Sequence, residues 1–447
     1  MTPTPHSRRD VLKGAVAIAA AASVGTTSAR RATAQGSARA QIDGVVRQAV
    51  DAKEVPGVVA MAATDKGVLY EGAFGLRALD QSTPMTLDTV FRIASMTKAI
   101  TSVAAMQLVE QGKLKVEEPV PNIDPGLGSP QVLEGFDAAG APKLRPAKRP
   151  ITLRHLLTHT AGFSYDIWDA NTGRYIKAAG LPARPTGKLA SIRTPLSFDP
   201  GDQWEYGVNT DWAGRLVEVL SGQSLDVYFR DKIFAPLGMK DSGFVVSAEQ
   251  RSRQARVHAR QADGVLAPQP WESAPVANPE FWSGGGPLYS TARDYLTFLQ
   301  MLLNGGSWNG ARLLKSDTVA EMNKNHTGNI PAGIMKTQNP GLSKRRRPVS
   351  RRPDPMGTRL HAQHAAGAER PERRHGELGW HLQHVLLARP VQARHRADHD
   401  ADPSFCRHPR AEALRAVRAR CLRCVDRGVI DSIALLGLPE TAGKPLS

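Results

Sequence analysis

The sequence predicts an α/β fold in which an antiparallel sheet is flanked by helices and accompanied by an all-helical region. Three observations indicate this class. Two short apolar runs flank Asp65-Lys66-Gly67, the pattern of a hairpin with two buried strands. A strongly apolar segment with helical periodicity follows at Met96 to Gln111. Further helical segments fill the middle of the chain, whereas the strand-like segments lie at its start.

Each element has its own local signal. The predicted helices are Gln41 to Ala52, Met96 to Gln111, a helix that begins with Thr152 to Thr158, Thr210 to Leu220, Leu225 to Phe234 and Thr291 to Leu303. The predicted strands are Val58 to Ala63, Val68 to Phe74 and Thr89 to Ile93. Glycines that follow the periodic segments end the helices, as at Gly112 and Gly305-Gly306. Segments 121–150 and 183–200, rich in proline and glycine, are predicted surface connections.

Length and composition allow a large core but no obvious nucleic-acid or membrane role. The chain has 447 residues and is 41% hydrophobic, which is ordinary for a globular protein. No apolar stretch beyond the N-terminus is long enough for a membrane span. The formal net charge is +16, but most of it falls between Lys344 and Ile430. A basic face along the whole chain, and with it a nucleic-acid partner, is therefore not expected.

The N-terminus has the pattern of an export signal. Arg8-Arg9 forms a twin-arginine pair, an alanine-rich run follows from Ala15 to Val24, and Ala32-Thr33-Ala34 offers small residues for cleavage. We expect residues 1–34 to be a twin-arginine signal peptide, so that the protein acts in the periplasm or is secreted. The alternative is a buried N-terminal helix.

Ser95-Met96-Thr97-Lys98 is the segment best suited to chemistry. Residues three apart share one face of a helix, so the Lys98 ammonium can reach the Ser95 hydroxyl. A serine hydroxyl is a weak nucleophile until a base takes its proton, and burial with nearby positive charge could lower the pKa of Lys98 enough to provide that base. Alone, the pattern also fits an exposed helix start with a solvated lysine. Its place between an apolar strand-like segment and an apolar helix favours a catalytic role.

A second segment, Trp204-Glu205-Tyr206, lies just before a predicted helix. A tyrosine close to Lys98 could act as a phenolate base or protonate a leaving group. Taken alone, a tyrosine such as Tyr206 is more often a packed aromatic residue than a catalyst. The case for Tyr206 therefore depends on its distance from Lys98 in the fold.

Four segments in order resemble class C β-lactamases and family VIII carboxylesterases, over about residues 40–343. They are Phe91 to Lys98, Leu156 to Phe163, Trp204 to Tyr206, and Gly284 to Thr291. The resemblance implies a β-lactamase/transpeptidase-like fold and a domain at 35–343. It also implies a hydrolase that works through an acyl-enzyme on a serine.

The resemblance implies specific roles for the matching residues. Ser95 is the acylated nucleophile and its backbone N–H forms half of the oxyanion hole, while Lys98 and Tyr206 are the general base and acid. His159 lies in a segment that is structural in this group. The β-lactamase members often show Tyr-x-Asn, whereas here Asn209 lies three residues after Tyr206, which fits the esterase-like branch better. Asn209 is retained as a possible substrate-binding residue.

The chain after Lys344 looks foreign to this fold. The group's third motif, which supplies the second oxyanion N–H on a late strand, is not found there, and arginine and histidine crowd the segment. Codons compatible with His381–Pro390, Ala393–Pro403 and Ala411–Asp426 give apolar or amphipathic segments in a shifted reading frame. We therefore expect residues 344–447 to be a frameshifted tail, C-terminal strands to be missing or disordered, and the chain to fold poorly or turn over weakly. A disordered basic arm is the alternative.

The expected function is hydrolysis of a small-molecule ester, β-lactam or amide through a Ser95 acyl-enzyme. A D-alanyl-D-alanine carboxypeptidase and a catalytically impaired binding protein remain as alternatives. No metal or cofactor is predicted, because the histidines are scattered and Cys421-x-x-Cys424 lacks a second ligand pair. The sequence leaves the oligomeric state open.

Overall fold

The computed structural model describes residues 39–120, 123–261, 264–270, 277–333, 335–336 and 338, and the backbone of strands at 386–387 and 432–437. The predicted signal peptide lies outside these residues. So does the predicted tail, apart from those two strands. No helix within the described ranges is both long and apolar enough to cross a bilayer.

The elements are numbered in chain order. The strands are β1 Gly57–Ala63, β2 Val68–Gly75, β3 Val90–Arg92, β4 Gln131–Phe136, β5 Pro142–Pro146, β6 His258–Arg260, β7 Leu266–Pro268, β8 Tyr289–Thr291, β9 Ser307–Trp308, β10 Ala311–Arg312, β11 Leu386–Leu387 and β12 Ser432–Gly437. The helices are α1 39–51, α2 Thr97–Glu110, α3 Leu153–Thr158, α4 Ala170–Ala178, α5 Asn209–Ser221, α6 Leu225–Phe229, α7 Ala235–Leu237, α8 Ala248–Ser252, α9 Ala292–Leu303 and α10 Ser316–Met322.

The main sheet has four antiparallel strands in the order β11-β12-β1-β2. The predicted hairpin around Asp65-Lys66-Gly67 is confirmed, and the Thr64 N–H donates to the Gly67 carbonyl at 2.9 Å across the turn. Every residue of β1 is buried. A strand buried on both faces needs hydrogen-bonding partners along both edges, because its backbone groups cannot reach water.

Two short strands of the C-terminal segment, β11 and β12, lie within the described residues. Strand β12 pairs with the second edge of β1, in a register that runs from Val58 opposite Gly437 to Ala63 opposite Ser432. Its sequence, Ser-Ile-Ala-Leu-Leu-Gly, is a short apolar run of the kind that fits beside a buried strand. The free edge of β1 favours such a partner, whatever the origin of the tail.

Two apolar layers cover the sheet. Alternate residues of β1 point to opposite faces, so Val58, Ala60 and Ala62 belong to a small cluster with Ile42, Val45 and Val46 of α1. Val59, Met61 and Ala63 face the larger core, which includes α2, α5 and α9. Helix α9 packs on β1 and β12. The sheet therefore supports the helical region that carries the site.

The predicted helices are largely confirmed, whereas one predicted surface connection contains regular structure. Segment 121–150 contains the hairpin β4–β5 in place of a plain surface connection. The Asp137 carboxylate accepts from the Ala141 N–H at 2.8 Å and stabilises the turn between the two strands. The predicted helix Leu225 to Phe234 consists of α6 followed by a π-helical turn at Arg230–Phe234.

Candidate active site

Ser95 and Lys98 come together through one turn of chain. Strand β3 leads into a 3₁₀ turn at Ala94–Met96, and α2 begins directly after it. The Lys98 Nζ donates to the Ser95 Oγ at 3.3 Å. Ser95 is half-buried, whereas Lys98 is only 1% exposed. The hydroxyl can therefore meet a substrate while its amine partner is shielded from water.

The backbone before Ser95 is unusual. Ala94 has φ 45°, in the left-handed region that non-glycine residues rarely adopt. A Cβ on Gly286 would lie 2.8 Å from the Ala94 carbonyl oxygen, so only glycine allows this close approach. The Thr97 hydroxyl donates to the same carbonyl at 2.6 Å. These contacts hold a strained turn in place and fix the direction of the Ser95 side chain.

Lys98 has three further neighbours. Its Nζ donates to the Gly285 carbonyl at 2.8 Å and lies 3.5 Å from the Tyr165 hydroxyl. The centroid of the Tyr206 ring lies 4.8 Å from the same Nζ. The structure therefore brings Ser95, Lys98 and Tyr206 together, as the sequence predicts, and adds Tyr165 and Gly285.

The expected pKa shift of Lys98 is wrong in direction. Burial alone would lower the pKa of Lys98, because the charged form loses its hydration. The acidic groups of Tyr165, Tyr206 and Asp211 outweigh burial and raise it. The sequence analysis counted burial and nearby positive charge, but the neighbours that fold against Lys98 are acidic. Lys98 is therefore an ammonium in the resting site.

The His159 ring packs against the Tyr206 ring. The two rings stack with centroids 4.8 Å apart and an interplanar angle of 23°. His159 is fully buried, and its Nδ1 accepts from the Gly207 N–H at 3.2 Å. It ends α3 with φ 59°, which turns its ring under the loop that carries Tyr206. These are the contacts of a structural residue, which is the role that the resemblance implies for His159.

Asn209 is also built into this support. Its side-chain amide lies 3.0 Å from the His159 Nδ1 and donates to the Phe163 carbonyl at 3.1 Å. Asn209 is fully buried. Contact with substrate stays a prediction for Asn209, and the geometry favours a structural role instead, because its amide donors already bind the protein.

Tyr165 and Asp211 belong to the site but were not predicted from the sequence. Both are buried, and the Tyr165 hydroxyl donates to the Asp211 carboxylate at 3.4 Å. Tyr165 follows the segment Leu156 to Phe163, and Asp211 opens α5. The sequence shows Asp211 only as a carboxylate in the first turn of a predicted helix, which does not reveal the groups that it contacts.

Glu205, beside Tyr206, gives a pH-dependent prediction. Burial, together with the nearby Asp169 carboxylate, raises the pKa of Glu205 to about 7, whereas an ordinary Glu has 4.5. Between these values the folded protein keeps a proton that the unfolded chain releases, so stability falls as pH rises through this window. Glu205→Gln removes that dependence, and its stability relative to the wild type should increase by about 3 kcal/mol from pH 4 to pH 8.

Thermal unfolding of both proteins at several pH values measures this effect. Glu134→Gln removes an exposed carboxylate from β4 and controls for the loss of one negative charge. Parallel stability curves for wild type and Glu205→Gln would contradict the prediction.

The part of the chain that carries these residues is similar to known proteins. A family profile described as Beta-lactamase matches residues 42–353, which include Ser95, Lys98 and Tyr206. Acyltransferase mokF of Monascus pilosus is 36% identical over 291 residues, covering 62% of this chain and 69% of the relative. Lovastatin esterase of Penicillium rubens is 34% identical over 295 residues, covering 64% of this chain and 73% of the relative.

A solved structure agrees with these matches. Unliganded simvastatin synthase of Aspergillus terreus is 34% identical and superposes with a TM-score of 0.56, covering 64% of this chain and 72% of that chain. Monacolin J acid methylbutanoyltransferase of the same organism matches over 64% of its own length. The similarity thus spans about two thirds of these proteins, and three of the four are named as acyltransferases or as an esterase.

Proposed function

Because the chain belongs to the Beta-lactamase family, we propose that it cleaves small-molecule esters through a covalent acyl group on Ser95. The observation that carries this proposal is the 3.3 Å contact between the buried Lys98 ammonium and the half-buried Ser95 hydroxyl. An amine held this close in a water-poor setting can orient the hydroxyl and stabilise the negative charge that develops as the hydroxyl loses its proton.

Acylation begins with attack by Ser95 on the ester. The Ser95 oxygen forms a bond to the ester carbonyl carbon, and its proton passes to the Tyr206 oxygen, which acts as a phenolate. The carbonyl oxygen becomes an oxyanion, which the Ser95 backbone N–H stabilises. Collapse then breaks the bond to the leaving alcohol, and Tyr206 returns the proton to that alcohol. A cationic Lys98 cannot accept the Ser95 proton, so the mechanism assigns that role to Tyr206, whose ring centroid lies 4.8 Å from the Lys98 Nζ.

Deacylation reverses these roles. A water molecule gives a proton to Tyr206 and attacks the acyl carbon, and the proton then returns to Ser95. An alcohol can replace water in this step, which would make the reaction an acyl transfer. Relatives named as acyltransferases, beside one named as an esterase, support both acceptors.

Esters are favoured over β-lactams and D-alanyl peptides by the position of Asn209. In β-lactamases the resemblance places an asparagine two residues after the tyrosine, whereas the Asn209 amide here binds His159 and backbone carbonyls. The site then lacks this polar group for an amide substrate. The second oxyanion N–H is expected after residue 340, outside the described residues.

Covalent labelling of the full chain tests the proposal. Incubation with a p-nitrophenyl ester should release a burst of p-nitrophenol, and the intact mass should rise by one acyl group on the peptide that contains Ser95. A single acylation suffices, so even a chain with weak turnover gives a result. Ser95→Ala should lose the burst and the label. Ser102→Ala, which changes a buried serine about two turns further along the chain in α2, should keep both.

Three further arms separate the alternatives. Added butanol should divert the acyl group into a butyl ester if alcohols are acceptors. A chromogenic cephalosporin and a D-alanyl-D-alanine peptide should react more slowly than the ester. Absence of any Ser95-dependent label with all substrates would refute the proposed function and favour a binding protein.

A further inference from the structure

Asp211 is the buried charge nearest to the proposed machinery that sequence analysis did not assign. It lies in the first turn of α5 and is 3% exposed. One carboxylate oxygen accepts from the Ser283 hydroxyl and from the Gly285 N–H, the latter at 3.1 Å. The other accepts from the Tyr165 hydroxyl at 3.4 Å. All three donors come from loops that meet at Lys98 and the glycine turn.

Gly285 links Asp211 to Lys98. Its N–H donates to the Asp211 carboxylate, while its carbonyl accepts from the Lys98 Nζ at 2.8 Å. A Cβ on Gly285 would lie 2.7 Å from one Asp211 oxygen and 3.0 Å from the Tyr165 hydroxyl, so the carboxylate can approach only a glycine. The turn is pinned further by Thr101, whose hydroxyl donates to the Gly284 carbonyl at 2.7 Å.

We propose that Asp211 is a positioning residue for Lys98, holding the Gly285 carbonyl against the ammonium and supplying the counter-charge that keeps Lys98 protonated. This inference rests on the proposed function, in which Lys98 acts as a cation beside Ser95. A buried ammonium without a counter-ion would tend to lose its proton, since the charged form is poorly solvated. Asp211 would prevent this loss of the Lys98 proton through the Gly285 turn, without contacting the reacting atoms.

The other groups around Lys98 do not supply a negative charge throughout turnover, because Tyr206 takes up and returns the Ser95 proton. Tyr165 and Tyr206 face the ammonium from the loops before α4 and α5, and Ser95 faces it from the preceding turn. Arg184 lies over the Tyr165 ring at 4.4 Å and adds positive charge to this side. Burial raises the pKa of Tyr165, so its phenol stays neutral. Asp211 is thus the carboxylate among the groups that raise the pKa of Lys98.

Asp211→Asn tests the proposal, because an amide keeps an acceptor for the Gly285 N–H but removes the charge. The pKa of Lys98 should fall in this variant. The apparent pKa of the alkaline limb in the pH profile of kcat/KM should then fall by about one unit or more. Activity at neutral pH should fall by roughly tenfold, through loss of preorganisation.

Glu218→Gln is the matched control. Glu218 is a second buried carboxylate on α5, and it accepts from the N–H groups of Leu225 and Trp282, away from Lys98. Its replacement should lower the melting temperature but leave the pH profile in place. An unshifted alkaline limb in Asp211→Asn, or an equal shift in Glu218→Gln, would overturn the proposal.

A titration of Lys98 itself gives a readout that does not depend on turnover. In protein labelled with ¹³C at the lysine Cε, the Lys98 signal is assigned by its loss in Lys98→Arg. It should titrate at lower pH in Asp211→Asn than in the wild type. If no substrate labels Ser95 but this signal still shifts, the proposed function fails while the role of Asp211 stands. If turnover depends on Ser95 but the signal does not move, the role of Asp211 is refuted.

Discussion

Ser95→Ala and Lys98→Met should each lower kcat/KM for an activated ester by a factor on the order of 10⁴, and the double variant should lose little more. The hydroxyl and the ammonium act as one unit across 3.3 Å, so removing either member removes most of what the pair contributes. Met is close to Lys in length and fills the same buried space, so the effect should lie in the chemistry. Steady-state kinetics on the four proteins measures it.

The control variant for this pair is Ser102→Ala. The Ser102 hydroxyl donates to the Lys98 backbone carbonyl at 2.9 Å. Among the described residues, no hydrogen bond joins Ser102 to Ser95. The Ser102→Ala variant should therefore retain nearly full activity. Melting temperatures of all variants separate loss of catalysis from loss of fold. If the decreases in kcat/KM of the two single variants multiplied, the double variant would be lower by about 10⁸-fold. Ser95 and Lys98 would then act independently, which would contradict the proposed mechanism.

The parts of the site that could be predicted from sequence depend on local geometry. The spacing of Ser95 and Lys98 corresponds to one helical turn, which sequence periodicity reports directly. The hairpin β1–β2 is equally local, because its turn residues and its two apolar runs lie within about 20 residues. For Tyr206, the sequence predicts only a loop before a helix, and the family resemblance supplied its place beside Lys98.

The parts that could not be predicted depend on contacts between distant segments. Lys98 meets Tyr165 across 67 residues and Gly285 across 187 residues. The sign of the pKa shift at Lys98 follows from such contacts, since it depends on whether Tyr165, Tyr206 and Asp211 or a cation fold against the amine. Strand β12 belongs to the same class, because its partner β1 lies at the other end of the chain. No local pattern encodes these pairings.

The two tyrosines beside Lys98 should differ sharply in their importance. Tyr206→Phe should lower kcat/KM by about 10³-fold, because it removes the group that carries the proton between Ser95 and the leaving alcohol. Tyr165→Phe should lower it by roughly tenfold or less. The hydroxyl of Tyr165 donates to the Asp211 carboxylate, and burial raises the pKa of Tyr165, so this phenol keeps its proton and cannot serve as the base.

The comparison is well matched, because both rings are buried and lie 5.5 Å apart in a T-shaped contact, and each variant deletes a single oxygen. Kinetics with the same activated ester, together with melting temperatures, distinguishes them. A larger loss in Tyr165→Phe would reverse the assignment and make Tyr165 the proton carrier. In that event the Asp211 carboxylate would have to accept a proton during turnover. An acidic limb of the pH profile that disappears in Asp211→Asn would reveal such a step.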